Sequence, residues 1–344
     1  MAASPTPRPT PSDDRLTAAG GPNPCGPPLQ DWCARWPVEP PGRVAVAYSA
    51  GADSTALLLA AHAVWRDRLV ALHVHHGLQT AADHFESTAR AVCQDLAVPL
   101  HVAHVQAAPA PGQSPEDAAR QHRYGALASL ARSVNASQVL LAQHADDQVE
   151  TVMLALSRGA GLPGLAAMPE RFVRHGVTFG RPLLGTAASE LRCWLRESGT
   201  AFVDDPSNTD TRYTRNRIRA GLLPAWAAAF PGFRATVART ARHAAQAQGL
   251  LDELARIDLA RTGRPPAIAE LQSLSAERQA NALRHWLRSE WGVVPSETQM
   301  QAVLRQVDAC RTRGHRLHLK VADGTLRREG AHLAYSRAGE GAPI

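Results

Sequence analysis

The stretch VAVAYSAGADS, residues 44–54, decides the fold. Its first four residues are apolar or small, which predicts a buried β-strand, and the turn after it opens into a helical run that begins at Ser54. The first backbone N–H groups of a helix lack carbonyl partners, and the helix dipole adds positive charge there. The loop at residues 49–54 therefore predicts a binding site for an anion, and phosphate fits it.

This loop differs from the P-loop of nucleotide hydrolases. That motif, G-x-x-x-x-G-K-[ST], requires a lysine that reaches the terminal phosphate, and Lys320 is the only lysine of the chain. Amides and hydroxyls without a lysine suit the binding of a departing pyrophosphate. The plain alternative is an ordinary strand-to-helix turn in which Ser54 caps the helix.

Composition indicates a globular chain with room for two domains. The chain has 344 residues, of which 44% are hydrophobic and 20% charged. Its apolar stretches end before about 18 residues, so we expect a soluble protein without a membrane span. The five cysteines form no C-x-x-C pair and no zinc spacing, which is typical of reduced thiols in the cytoplasm. Residues 1–28 are rich in Pro, Gly, Ser and Thr and predict a disordered tail.

The charge of the chain favours a polyanionic partner. The formal net charge is +6, and all but one of the cationic side chains are arginine. The planar guanidinium binds phosphates in a bidentate manner and stacks on bases. A GC-rich genome, which favours arginine codons, explains the same bias equally well, so the charge alone does not establish a nucleic-acid partner.

The order of the predicted elements defines an α/β fold class, a parallel sheet with helices on both faces. Strands at 44–48, 69–75, 99–105 and 138–143 alternate with helices at 54–64, 80–97 and 115–132. Ligands bind at the carboxyl ends of such strands. The segments there are 49–54, 73–77 and 144–147, so we expect the active site where they converge.

Helical periodicity dominates the rest of the chain. A helix is predicted at 146–157, a short strand at 179–184 and a helix at 187–198. Beyond residue 222 the pattern is helical, and alternating residues around the turn Asp323-Gly324 predict short terminal strands. The predicted domains are accordingly 29–221, which binds the nucleotide, and 222–338, which is smaller and mainly helical with a terminal β-element.

The segment AQHADDQVET, residues 142–151, places three carboxylates in the first turns of a helix. Asp146, Asp147 and Glu150 have the spacing that puts them on one side of it. They are suited to hold Mg²⁺ together with the phosphates of a nucleotide, or to bind a cationic amine, and the residues leave both roles open. Asp147 with Glu150 also matches a helix capping box, which needs no function.

Two further groups of polar residues carry weaker signals. His73, His75 and His76 end a strand, and we interpret them as shaping a nucleotide pocket rather than a metal site. Arg120 and Arg123 follow Glu116 on one helical segment. The pair Glu116 and Arg120 has the spacing of a surface ion pair, which contributes only a few tenths of a kcal/mol (about 0.3–0.5).

Taken in order, the motifs resemble those of the bacterial tRNA(Ile)-lysidine synthetases, which belong to the PP-loop ATP pyrophosphatases. The motifs are SAGADS at 49–54, HVHHGL at 73–78, RQHRY at 120–124, AQHADDQVET at 142–151, RGAGLPGLAAM at 158–168, RPLL at 181–184, DPSN at 205–208 and YTRNRIR at 213–219. The resemblance is close over residues 43–220 and implies a PP-loop (HUP-like) domain. The region to about 336 resembles the family's first C-terminal domain, and we expect the further C-terminal domain of longer members to be missing. Ala50 departs from the family's S-G-G-x-D-S pattern, and a positive φ there would strain it.

The resemblance implies ATP-dependent ligation of L-lysine to C2 of the wobble cytidine of tRNA(Ile) with a CAU anticodon. ATP adenylates O2 of the base and releases pyrophosphate, and lysine then displaces AMP. The implied partners are this tRNA and free L-lysine, with a homodimer as one candidate assembly. The implied cofactors are ATP and Mg²⁺. Rival interpretations are a 2-thiocytidine synthetase, for which paired cysteines are expected, an NAD or GMP synthetase, and a nucleotide-sensing module.

Residue roles follow from the same resemblance. ATP is assigned to Ser49, Ala50, Gly51, Ala52, Asp53 and Ser54. The catalytic set is Asp53, His144, Asp146, Asp147 and Glu150, with Mg²⁺ at Asp53 and Asp147. Contacts to tRNA are assigned to Arg120, Arg123, Asn208, Arg215, Asn216 and Arg219.

Overall fold

A six-stranded sheet forms the centre of the first part of the chain. Its strands are β1 (Arg43–Ala47), β2 (Leu69–His75), β3 (Leu100–His104), β4 (Ala136–Leu140), β5 (Arg171–Arg174) and β6 (Val177–Gly180), and their order across the sheet is β3-β2-β1-β4-β6-β5. Neighbouring strands are parallel except β5, which pairs antiparallel with β6 at the edge. The predicted α/β fold class is confirmed, with one antiparallel edge strand that the sequence did not predict.

The computed structural model describes residues 22–75, 80–105, 115–205, 210–312 and 315–337. These residues divide into two compact units, with the boundary between Arg242 and His243. This division lies inside a long helix and about twenty residues beyond the predicted boundary at 221, which stays a prediction.

Helices cover both faces of the sheet in the first unit, which explains why its central strands are apolar on both sides. Val44, Val46 and Ala71 face the core beneath one layer of helices, whereas Ala45 and Val70 face a second core under α4. The helices are α1 (Gly26–Arg35), α2 (Ala52–Trp65), α3 (Thr80–Asp95), α4 (Pro115–Ser133), α5 (Ala145–Ser157), α6 (Leu162–Leu165), α7 (Ala188–Glu197), α8 (Thr214–Arg217) and α9 (Leu223–Ala229). A five-residue π-helical turn, Ile218–Leu222, joins α8 to α9.

The predicted tail, residues 1–28, extends too far towards the C-terminus. Cys25 is completely buried and α1 begins at Gly26, with proline in its first turn. The helix is held by Trp32, which packs so closely on Gly180 that a Cβ there would lie 2.3 Å from the indole. The Pro- and Gly-rich composition therefore did not predict this helix, because the helix is stabilised by contacts distant in sequence.

The strand predicted at 179–184 is the second strand of a hairpin. β5 and β6 are joined by His175 and Gly176, which both have positive φ, 50° and 74°. This backbone is typical of a tight hairpin turn. A histidine at the first turn position is a weak signal, and the sequence therefore did not predict β5.

The second unit is helical with a terminal antiparallel sheet, as predicted. Helix α10 (Phe233–Thr262) crosses into it and is followed by α11 (Ile268–Gln272), α12 (Ala276–Trp291) and α13 (Glu297–Ala309). The sheet consists of β7 (His318–Val321), β8 (Gly324–Glu329) and β9 (His332–Arg337). Met300, Val303 and Val307, which have helical spacing, are completely buried in its core. Among the described residues of the chain, every helix is too short or too polar to cross a membrane.

Candidate active site

The loop 49–54 follows β1 and includes the first turn of α2, which begins at Ala52, two residues before the predicted start at Ser54. The hydroxyl of Ser54 accepts a hydrogen bond from the amide of Ser49 at 3.2 Å and lies 3.0 Å from the carbonyl of Gly51, to which it donates. Gly51 caps the helix through its backbone. The amides of the first helical turn, from Ala52 to Ser54, have no earlier carbonyl of the helix to bind. The loop therefore offers a row of N–H donors at a helix N-terminus.

Ala50 has the positive φ that strains any residue except glycine. Its φ is 62° and its side chain is completely buried. This conformation costs about 1–2 kcal/mol in a residue with a Cβ. The amide of Val203 donates to the Ala50 carbonyl at 2.9 Å, so a neighbouring segment fixes the strained turn.

His73 supports the residue before the loop. Its Nδ1 lies 2.8 Å from the carbonyl oxygen of Tyr48 and must donate to it, because that oxygen only accepts. The ring is 3% exposed, and burial lowers the pKa of His73. A neutral His73 thus fixes the end of β1. His76 and Gly77 of the same motif lie outside the described residues.

His144 connects the loop 49–54 to the acidic start of α5. It caps this helix, with Nδ1 accepting from the amide of Asp147 at 3.4 Å. Its Nε2 lies 3.5 Å from Asp53 Oδ2 and 3.5 Å from Asp147 Oδ2. In the neutral ring the cap leaves the proton on Nε2, which faces the two carboxylates. The carboxyl ends of β1 and β4 therefore meet at this histidine.

The His144–Asp53 contact shifts the pKa of both groups. Burial alone would lower the pKa of His144, but the hydrogen bond to Asp53 and the charges of the nearby aspartates raise it overall. Burial alone would raise the pKa of Asp53, but the hydrogen bond and charge of His144, with more distant arginines, lower it overall. Each partner thus favours the charged form of the other.

Arg219 binds the two carboxylates that face it from α5. Its Nε donates to Glu150 Oε1, and its Nη2 lies 3.2 Å from Glu150 Oε2 and 2.9 Å from Asp147 Oδ1. Arg215 adds a longer contact of 3.6 Å to Glu150. The Glu150 side chain is completely buried, and this burial raises its pKa although Arg219 opposes the shift.

Asp146 is paired with a different arginine. The Nε of Arg234 donates to its Oδ1 at 2.7 Å, and the amide of Ala188 donates to its Oδ2 at 2.9 Å. Burial alone would raise the pKa of Asp146, but Arg234 lowers it overall. Within the predicted acidic cluster, Asp147 and Glu150 therefore share Arg219, whereas Asp146 pairs with Arg234 and lies 4.0 Å from His144 Nδ1.

The residues that were assigned to tRNA have different surroundings in the structure. Arg215 and Arg219 pair with Glu150 and Asp147, and their side chains are 33% and 35% exposed, so their assignment to tRNA stays a prediction. Asn216 is 8% exposed and donates to the carbonyl of Asp210 at 2.9 Å, so it fixes the turn before α8. Arg120 and Arg123 are exposed on α4. Asn208 lies outside the described residues.

A cleft of about 630 Å³ lies beside His144 and Asp146. Its other walls come from α7 and α9, and its lining includes Arg192, Arg196, Arg219 and Arg234. The Nε of Arg192 is buried and has no hydrogen-bond partner among the described residues. Its charge also contributes to the low pKa of Asp53. Sequence reasoning missed Arg192, because nothing in the motif pattern marks this position of α7.

The two proposed magnesium ligands differ in whether their carboxylate oxygens already have hydrogen-bond partners. Asp53 Oδ1 is buried and has no hydrogen-bond partner in the described part of the chain. Asp147 uses Oδ1 for Arg219 and Oδ2 for the His144 amide, the latter at 3.1 Å. A hard carboxylate oxygen next to a phosphate site is a typical Mg²⁺ ligand. The residues present thus fit Mg²⁺ at Asp53, whereas both oxygens of Asp147 already accept a hydrogen bond.

The fold and this loop define a PP-loop protein, and comparison with known proteins agrees. Residues 30–226 match the PP-loop domain family, and residues 267–333 match the TilS substrate binding domain. The chain is 60% identical over 293 residues to the tRNA(Ile)-lysidine synthase of Polaromonas naphthalenivorans, covering 85% of this chain and 89% of that one. It is 43% identical to the enzyme of the same name from Bordetella parapertussis, covering 81% and 85%. The chain belongs to the tRNA(Ile)-lysidine synthase family.

A solved structure shares the fold. The U34-tRNA thiolase NcsA from Methanococcus maripaludis, described with its [4Fe-4S] cluster, has a TM-score of 0.56 and 14% sequence identity. The match covers 64% of this chain and 76% of that chain. At this identity the likeness concerns the fold alone.

Proposed function

We propose that this protein ligates L-lysine to C2 of the wobble cytidine of tRNA(Ile) with a CAU anticodon. ATP is consumed, and AMP and pyrophosphate are released through a tRNA intermediate adenylated on O2 of the base. The observation that carries the proposal is the meeting of a phosphate-binding loop and an acidic helix start at the contact between Asp53 and His144, 3.5 Å long. Family membership supplies the substrate class.

In the first step the protein must hold the triphosphate of ATP and reduce its negative charge. The cytosine O2 attacks the α-phosphorus, the bond to the bridging oxygen breaks, and pyrophosphate leaves. We assign the phosphates to the amides and hydroxyls of the loop 49–54. Asp53 Oδ1 is the proposed ligand of Mg²⁺, which neutralises phosphate charge when bound. Arg192 provides the cation that a loop without lysine lacks.

The second step needs a cationic amino acid near the adenylated base. We assign Asp147 and Glu150 to an ammonium group of lysine. Because Arg219 already binds both carboxylates, lysine must share them with Arg219 or displace it. The attacking amine forms a bond to C2 and loses a proton, and AMP leaves with the former O2 oxygen. A carboxylate of the site is the proposed base, since the neutral His144 ring keeps its proton on Nε2 and uses the Nδ1 lone pair for the helix cap.

Contacts to the tRNA backbone are assigned to exposed cations. Arg120 and Arg123 on α4 keep this role from the sequence, and Arg196 in the cleft joins them. Tyr213 is 57% exposed and is assigned to stack on an unpaired base. A cytoplasmic location, where tRNA is modified, is part of the same proposal, and a homodimer stays a prediction.

A sulfur-transferring relative is the alternative. Such an enzyme activates the same O2 but is expected to need paired cysteines, and the sequence contains no C-x-x-C pair. The curated relatives at 60% and 43% identity are lysidine synthases, which favours ligation.

The proposal is tested by incubating the protein with a transcript of the tRNA, ATP, Mg²⁺ and lysine. We expect pyrophosphate release that depends on the tRNA, and mass spectrometry of the digested tRNA should show one cytidine with lysine added and water lost. A transcript with uridine at the wobble position is the matched control and should stay unmodified. Sulfur incorporation, or ATP turnover without tRNA, would contradict the proposal.

A further inference from the structure

A cluster of metal-ligating side chains lies outside the site described above, where β2 and β3 end. His75 and His104 are register partners on these parallel strands, and their rings lie 4.7 Å apart between centroids. Glu86 reaches the same point from α3. One ligand atom of each of the three residues lies within 4.8 Å of the other two.

The distances in this cluster approach those of a four-coordinate metal. His104 Nε2 lies 3.5 Å from Glu86 Oε2, and His75 Nε2 lies 3.1 Å from Asp83 Oδ1. In a tetrahedral zinc site with bonds of about 2.0–2.2 Å, ligand atoms are about 3.3–3.6 Å apart. The pair of His104 and Glu86 already has this spacing. The three ligand atoms of His75, Glu86 and His104 lie within 4.8 Å of one another, so closing the longest gap requires a movement of at most about 1 Å.

Glu86 is oriented by a neighbour that leaves one oxygen free for a metal. Arg90 donates from Nε at 2.9 Å and from Nη2 at 2.6 Å, both to Oε1. The other oxygen, Oε2, faces His104. Metal sites typically contain such a second residue, which forms hydrogen bonds to a metal ligand and thereby orients it. Asp83 and Glu86 are three residues apart on α3 and lie on one face of it.

We propose that His75, Glu86 and His104 bind one divalent transition metal ion. Two imidazoles with carboxylate oxygens favour Zn²⁺. His75 is 9% exposed whereas the His104 side chain is 66% exposed, so the ion enters from the His104 side. The ion ties the ends of β2 and β3 to α3. β2 also carries His73, which fixes Tyr48 before the loop 49–54, so the proposed role is structural.

The test is a zinc titration of protein that has first been freed of metal with a chelator. A chromophoric chelator competes for Zn²⁺, and Co²⁺ serves as a spectroscopic probe of tetrahedral coordination. We expect one equivalent of Zn²⁺ to bind. His104→Ala should weaken binding by about 100-fold or more, because it removes a direct ligand and even outer-shell losses cost about 10–100-fold. Glu86→Gln should weaken it as well.

His84→Ala is the matched control, since His84 is an exposed histidine of the same helix next to Asp83. This variant should keep the wild-type affinity and the rise in melting temperature that bound Zn²⁺ produces. Circular dichroism of the metal-free variants separates loss of a ligand from loss of folding. The proposal is overturned if the wild-type protein takes up no stoichiometric Zn²⁺ or if His104→Ala binds it equally well.

Discussion

Arg219 lies across Glu150, with Nη2 3.2 Å from Oε2 of a carboxylate that is completely buried. Removing the guanidinium leaves a buried charge without its main partner. We expect Arg219→Gln to lower the free energy of unfolding by about 3 kcal/mol, the lower end for a buried pair because the Arg219 side chain is 35% exposed. Urea denaturation of both proteins at pH 7 measures the difference.

The pH dependence of this loss identifies its cause. Burial raises the pKa of Glu150 above its ordinary 4.5. A raised carboxyl pKa means that the folded state holds its proton longer, so stability falls as pH rises through the folded pKa. In Arg219→Gln the deficit should thus be small near pH 4 and grow towards pH 7. Adding Glu150→Gln should recover part of the stability, and a deficit independent of pH would contradict this account.

The contact between His144 and Asp53 predicts a second pH effect. The folded pKa of His144 is raised, so its contribution is complete below the ordinary 6.5 and is lost as pH rises through the folded value. The folded pKa of Asp53 is lowered, so its contribution is present above 3.8 and is lost as pH falls through the folded value. The contact therefore stabilises the fold most between these two ordinary values.

His144→Asn tests this window because asparagine keeps a helix-capping acceptor but does not titrate. We expect the variant to be less stable by about 1.5 kcal/mol at pH 5.5, as for a hydrogen bond between charged groups. The difference should shrink as the pH is raised above 7. Denaturant midpoints measured at several pH values check it. An equal difference at pH 5.5 and pH 9 would show that the loss comes from packing and not from charge.

Short-range patterns predicted the parts of the site that lie close together in sequence. The strand, loop and helix at 44–65 follow from one local run. The capping box was predicted three residues too late, for Asp147 and Glu150, and is formed by His144 and Asp147. The partners of the acidic cluster could not be predicted in this way. Arg219 is 69 residues from Glu150, and Arg234 is 88 residues from Asp146. Because ion pairs at such separations leave no periodic signal, exposed phosphate-binding arginines were the natural interpretation.

The strain at Ala50 predicts a small effect of the family's usual glycine. Ala50→Gly removes a strain of about 1–2 kcal/mol, but it also removes a buried methyl group worth about 0.8 kcal/mol and makes the unfolded chain more flexible. These effects nearly cancel, so we expect a stability change below about 1 kcal/mol. Ala50→Val should be destabilising by more than about 2 kcal/mol, because a branched side chain at φ 62° is both strained and overpacked. Denaturation curves distinguish the outcomes.

Arg192 is predicted to act on ATP and not on lysine. A cation near the loop 49–54 attracts phosphate charge, so Arg192→Gln should raise KM for ATP by about tenfold, the worth of one charge-assisted hydrogen bond. KM for lysine should stay within about twofold. Arg171→Gln, at an exposed position of the edge strand β5, is the control and should change neither constant. An unchanged KM for ATP in Arg192→Gln would remove this residue from the phosphate site.

A substitution of Asp147 distinguishes the two roles proposed for the acidic cluster, which are binding of Mg²⁺ and binding of a cationic amine. Both oxygens of Asp147 already accept a hydrogen bond, from Arg219 at 2.9 Å and from the His144 amide at 3.1 Å, so we expect Asp147 to supply charge for a bound ammonium and Asp53 to be the Mg²⁺ ligand. We expect Asp147→Asn to leave adenylation of the tRNA within about threefold of wild type and to raise KM for lysine by about tenfold, since uniform binding energy is lost. Pyrophosphate release and lysine transfer are measured separately.

Asp67→Asn, at an exposed position beyond α2, is the control. A loss confined to pyrophosphate release would instead place Mg²⁺ at Asp147, and two unchanged steps would remove Asp147 from the reaction.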